Sequence, residues 1–239
     1  MEPTFSKGGV YQSPTQSLAV GQYMSKVYMW MTIGILLTGM VAMGFASDPN
    51  LVFTVASNKI LYWGLFIAQI GLVLWLSAGI NKMNSMMATC LFLVYASLTG
   101  VTLSVISLVY TQESIASAFF TTAAGFAGLS AYGFFTKRDL GPVGNFCQMG
   151  LWGLVGFSIL SMFFPSMMGT TASKVYGLIG IVVFAGLTAY DTQAIKAMAV
   201  HSRSAEEHHK GAILGALKLY LDFINLFLFI LRMSGDRRK

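Results

Sequence analysis

Seven long apolar stretches, each cut from the next by a short polar separator, organise this chain. They lie near 27–46, 60–80, 86–110, 115–136, 146–164, 175–199 and 211–232. A helix rises about 1.5 Å per residue, so roughly 20 apolar residues cross a hydrocarbon core of about 30 Å. Each stretch is long enough to do so. The separators carry turn chemistry: Ser47-Asp48-Pro49-Asn50, Asn81-Lys82-Met83-Asn84, Lys137-Arg138-Asp139-Leu140-Gly141-Pro142 and Pro165-Ser166. Several are so short that the helices they join must be antiparallel. The pattern predicts an all-α integral membrane protein of seven transmembrane helices. A polar N-terminal tail (1–26) precedes the membrane domain (27–232), and a basic C-terminal tail (233–239) follows it. The first apolar run sits behind a polar stretch and is long enough to span, so it reads as a helix and not as a cleavable signal peptide.

Composition agrees with the pattern. Hydrophobic residues make up 55% and charged residues 10% of the 239, and the mean hydropathy is +0.67. Soluble domains carry roughly 25% charge to solvate their surface. This chain cannot cover a globule in water, so its main partner is the lipid bilayer. A net charge of +6 would suit nucleic acid, but the 15 Lys and Arg are scattered singly between apolar runs. No nucleic-acid surface is predicted. Cys90 and Cys147 lie in apolar segments without a CxxC partner and read as buried packing residues.

The basic residues also bear on orientation, because they accumulate in cytoplasmic loops. With a cytoplasmic N-terminus, that side receives Lys7, Lys26, Lys82, Lys137, Arg138, Lys196, Arg203 and Lys210, against Lys59 and Lys174 in the opposite loops. The tail breaks the trend. Seven full spans put Arg232, Arg237, Arg238 and Lys239 outside, whereas a re-entrant last segment returns them inside. Charge favours re-entry, segment length favours a crossing, and both stay open at this level. Small residues recur within the spans, at Gly125 and Gly128, at Gly150, Gly153 and Gly156, and at Gly177 and Gly180. In lipid they let helix backbones approach closely.

Ionisable groups inside a span cost at least about 2.5 kcal/mol on insertion scales, so they face protein or water. Asp191 lies in the second half of span six, within Gly186-Leu187-Thr188-Ala189-Tyr190-Asp191-Thr192-Gln193. Asp222 lies near the middle of span seven, within Leu219-Tyr220-Leu221-Asp222-Phe223-Ile224-Asn225. Lys218 precedes it by four residues and Asn225 follows it by three, which puts the three on one helical face. Counted from the loop they share, the acids lie at comparable depths. Two carboxylates that meet cannot both ionise cheaply, and they hold one proton between them. Ionised, the same oxygens are hard ligands of the kind Ca²⁺ takes. A structural role stands as the lesser alternative: Asp222 pairing with Lys218, and Asp191 bonding to Thr or Tyr hydroxyls.

At these residues the sequence resembles the Bax inhibitor-1 (transmembrane Bax inhibitor motif) family, and is similar to its bacterial inner-membrane branch. The likeness is carried by 186–193 and by 214–228 (Leu214-Gly215-Ala216-Leu217-Lys218 onward to Leu228), with support from Tyr95-Ala96-Ser97-Leu98-Thr99-Gly100 and from 132–140. The resemblance implies a last helix wrapped by the other six and a C-terminus on the outside. It also implies that Asp191 and Asp222 correspond to a pair of aspartates that sense pH and gate a calcium leak. Family members can carry a basic residue near the end of the second helix that pairs with these acids. Here that region offers Gly79 and, at the membrane edge, Lys82, so Lys82 or Lys218 is expected to substitute.

The expected function is a pH-regulated cation leak, with Ca²⁺ and H⁺ as the ions, Asp191 and Asp222 as gate and ion path, and Lys218, Lys82 and Asn225 as latch partners. The alternative is a non-transporting regulator that binds another membrane protein, such as a membrane-bound protease, through the N-terminal tail. The predicted setting is the bacterial inner membrane, multi-pass, with the N-terminus cytoplasmic. No enzyme activity and no cofactor are expected. His201, His208 and His209 fall in the polar loop between spans six and seven, away from any intramembrane serine, and Glu206-Glu207-His208-His209 reads as a solvated run. A retinal pump would place an acid before the lysine and another in span three, and neither is present.

Overall fold

The computed structural model describes residues 14–199 and 204–238; Lys7, His201, Arg203 and Lys239 lie outside the described residues. The described residues form eight α-helices: α1 (Pro14–Ala46), α2 (Pro49–Ser57), α3 (Lys59–Gly79), α4 (Ser85–Ser104), α5 (Gln112–Phe135), α6 (Gly141–Phe163), α7 (Thr170–Met198) and α8 (Ala205–Ser234). Seven of them, all but α2, are long and apolar enough to cross a membrane.

Two of the predicted separators, with three further segments between the spans, supply capped helix starts. Asp48 caps α2 by accepting from Asn50 N–H, Asn58 caps α3, Asn84 caps α4, Thr111 caps α5 and Ser204 caps α8. Each side-chain oxygen takes an amide proton that the first turn leaves unbonded. The nine-residue α2 was not expected. Pro49 follows its cap directly, and Val52 and Val55 are buried, so the loop between the first two spans folds back as a short lid. At the N-terminus, α1 begins at Pro14, and Val20, Tyr23 and Met24 are buried. The first helix therefore starts well inside the stretch read as polar tail, because an apolar stripe at helical spacing runs through it.

Two groups of helices meet on α8. On one side α1 packs on α4 and on α8; on the other, α7 packs on α5, α6 and α8. The main partners of α8 are α1, α4, α5 and α7, while α3 leans chiefly on α4 and α6 on α7. Encirclement by all six helices goes further than this packing. The first turns of α8 sit by the α3–α4 loop, where Lys210 Nζ donates to Met83 O (3.1 Å). Its far end meets the α4–α5 loop: Thr111 N–H donates to Asp236 O (3.2 Å) and Arg238 N–H to Val109 O (2.9 Å). Those loops lie at opposite ends of α4. Hence α8 traverses the bundle as one unbroken helix, and no re-entrant segment forms.

Candidate functional site: two acids and a lysine between the last two helices

The position of Asp191 follows from how tightly α7 is held. A Cβ added at Gly133 of α5 would strike the Ala189 backbone, and one at Gly144 of α6 would land in the Tyr190 ring. The two residues before Asp191 are thus clamped from two sides by helices that can approach only where no side chain intervenes. Two residues after it, Gln193 accepts from Leu140 N–H (2.9 Å) and donates to Arg138 O (2.8 Å). Lys196 Nζ donates to Phe134 O (2.7 Å). These bonds tie α7 to the α5–α6 corner.

The rotation of α8 is set by Tyr220. Thr38 Oγ1 of α1 donates to Ala96 O of α4 (2.9 Å), and the Tyr220 hydroxyl, 2.7 Å away, donates to Thr38. The rings of Phe92 and Tyr95 meet Tyr220 edge-on, while Phe223 is held by Phe119 and Phe126 of α5. Asp222, about 200° round the helix from Tyr220 at roughly 100° per residue, is left on the α7 side.

There the charged groups gather. Lys218 Nζ donates to Asp191 Oδ1 across 3.4 Å. Asp191 is 9% exposed and Asp222 4%. Asp222 lies within electrostatic reach of both Asp191 and Lys218, yet its buried Oδ2 has no hydrogen-bond partner among the described residues. The lysine therefore serves α7, and not the acid one turn along its own helix. The nearby hydroxyls do not hold Asp191 either: Thr188 and Thr192 donate to carbonyls of their own helix, Phe184 O and Thr188 O. Fully ionised, the trio carries one net negative charge. An uncompensated buried charge costs several kcal/mol, and one proton or one bound cation removes that cost.

The other expected latch residues stand apart. Asn225 donates to Leu221 O of its own helix (2.8 Å). Lys82 is exposed at the end of a 3₁₀ turn, Ile80–Lys82, that follows α3. The Lys218 side chain remains 42% exposed. It lies in a half-buried stripe with Leu214, Leu221 and Asn225, the least covered side of α8 between residues 212 and 227. Beside Leu221, a cavity of about 250 Å³ opens between α3 and α4, with Gln69, Val73 and Tyr95 in its wall.

Three further readings need amendment. Cys147 is buried, but Cys90 is exposed on the outer face of α4. His208 and His209 belong to the first turns of α8, not to a loop. His208 meets the Tyr23 ring edge-on and His209 lies 3.1 Å from Thr89 Oγ1. Glu206 pairs with Lys210 (3.9 Å). Among the small residues, Gly150, Gly177 and Gly180 sit under Val183, Met233 and Phe229, whereas Gly125, Gly128, Gly153 and Gly156 face open space. Sequence reasoning passed over Gln193 and Tyr220, although both stand inside the stretches that drew attention to the acids. A polar side chain inside a span is itself a signal.

Fold and site together define a multi-pass membrane protein built around an intramembrane acid pair. The family described as "Inhibitor of apoptosis-promoting Bax1" matches residues 20–239, and the chain belongs to this Bax inhibitor-1 family. It is 47% identical over 218 residues to the inner membrane protein YbhL of Escherichia coli (strain K12), covering 90% of this chain and 92% of that one. A protein of Borreliella burgdorferi is 40% identical over 228 residues (95% and 97% covered). One of Deinococcus radiodurans is 38% identical over 218 residues (91% and 92% covered). The YbhL likeness and the seven apolar helices support an inner-membrane location.

Proposed function

We propose that the protein is a pH-regulated cation leak, with Ca²⁺ as the principal ion and the Asp191–Lys218–Asp222 trio as its gate. The observation that carries this reading is Asp222 Oδ2, buried in the middle of a transmembrane helix with no hydrogen-bond partner among the described residues, beside a second acid already paired to a lysine. With a proton on the acids the trio is neutral and the helices stay packed. When the proton leaves, net negative charge appears in a low-dielectric site and draws in either a cation or water. Lys218 acts as a tethered cation, occupying Asp191 until a mobile one competes. The loop-charge count supports a cytoplasmic N-terminus, which puts the Lys210 end of α8 inside and the Arg238 end outside. The protein is a passive pathway in this reading, without enzymatic turnover.

Purified protein in liposomes tests it, with Ca²⁺, K⁺ and Na⁺ flux followed through a pH jump. Wild-type flux is expected to rise as pH rises. Asp222→Asn and Asp191→Asn should each flatten that dependence, and Lys218→Gln should raise the resting leak at low pH. Flux and pH profile unchanged in both Asn variants would end the latch reading. No flux from wild type under any condition would favour the alternative, a non-transporting regulator of another membrane protein.

A further inference from the structure

A second feature opens on another side of α8, around Phe223, the residue that follows Asp222. Between α1 and α5 the surface opens into a groove of about 670 Å³ whose floor is Phe223 of α8. Its walls are almost wholly apolar, with Met31 and Leu36 on α1 and Ala123 and Ala127 on α5. It runs from Gly21 to Leu36 along α1, about 22 Å at 1.5 Å per residue. The two ends differ. One reaches Phe135, the last residue of α5, where that helix leaves the membrane. The other stops at Phe119 and Leu36, about 10 Å and 15 Å short of the ends of their helices. A polar headgroup can therefore be accommodated only at the Phe135 end.

That end is basic. Lys196 Nζ sits 4.7 Å from the centroid of Phe134, a groove residue, and spends one proton on Phe134 O. An ammonium has three donors, and among the described residues this is the one hydrogen bond Lys196 Nζ makes. Lys26 on α1 and Lys137 and Arg138 just past α5 are exposed. The acid of the α5–α6 loop, Asp139, turns to Gly141 N–H (2.8 Å). From this complementarity of an apolar slot and a cationic mouth, we propose that the α1–α5 groove binds one anionic phospholipid, its acyl chain along Phe223 and its phosphate at Lys196.

The test uses the full chain in bicelles containing phosphatidylglycerol and phosphatidylethanolamine with identical acyl chains, read by native mass spectrometry. One phospholipid should stay bound, with phosphatidylglycerol retained about fivefold over phosphatidylethanolamine, the effect of one cation near an anionic headgroup. Ala127→Trp, which fills the slot from an exposed position, should abolish retention, and Ala131→Trp serves if that variant does not fold. Lys196→Gln should keep a lipid but lose the headgroup preference. Ala124→Trp, on the same helix outside the groove, should change neither. Equal retention of the two lipids by wild type overturns the proposal. Undiminished retention in a folded Ala127→Trp or Ala131→Trp also overturns it.

Discussion

In their most apolar stretches helices α3 and α8 are almost equally apolar, yet they lead opposite lives in the fold. Over its most apolar stretch α8 is 56% buried inside the protein and α3 only 6%. In water such a difference would be written in hydrophobicity. In lipid it is not, because a leucine facing an acyl chain is as well solvated as one facing another helix. What separates the two is the placement of polar and small groups. Along α8 stand Lys218, Tyr220, Asp222 and Asn225, and opposite it Gly180 of α7 receives Phe229. Along α3, Gln69 donates to Thr102 and to Leu98 O of α4, and Gly64 and Gly71 face nothing.

Substitutions at the two kinds of position should differ accordingly. The largest effect is expected from Gly133→Val, whose Cβ meets the Ala189 backbone. Overpacking against an unyielding neighbour costs about 3 kcal/mol, so the melting midpoint in detergent should fall sharply, and the pH response of the proposed flux with it. Tyr220→Phe removes the hydroxyl that Thr38 accepts from and should cost about 1 kcal/mol. It would appear as a lower midpoint, rescued in no measure by changes on α3. Gln69→Leu should cost about 0.6 kcal/mol, the average for a polar contact between membrane helices. Its clearer readout is greater protease or thiol-label access along α3. The smallest effect belongs to Gly71→Ala, within about 0.5 kcal/mol, since the helix is already formed in lipid and the new methyl touches nothing. A large loss from Gly71→Ala, or none from Gly133→Val, would break the comparison.

The acid site itself was partly legible in advance. Asp191 and Asp222 stand out because an ionisable group in a span is expensive, and their matching depths followed from helical rise alone. Their attachment to the lysine was not legible. Lys218 and Asp222 are four residues apart on one helix, and the local rule pairs them. Only the packing of α7 on α8 carries Asp191 close enough to capture the ammonium. Nor was it legible that Asn225 turns to Leu221 O and that Lys82 stands exposed after α3: a shared face or a nearby end does not by itself bring side chains together.

From the sequence by itself came the class of protein, the seven spans, the bilayer as solvent and the two acids within it. All of these depend on the cost of transferring groups between water and hydrocarbon, which is a property of each residue in its own stretch. The tertiary structure decided the rest. It carried α8 fully across, joined its end to the α4–α5 loop, left Asp222 Oδ2 without a hydrogen bond among the described residues and opened the α1–α5 groove. Those outcomes depend on which backbones approach at Gly133, Gly144 and Gly180, and that is a property of pairs of helices that no single stretch contains.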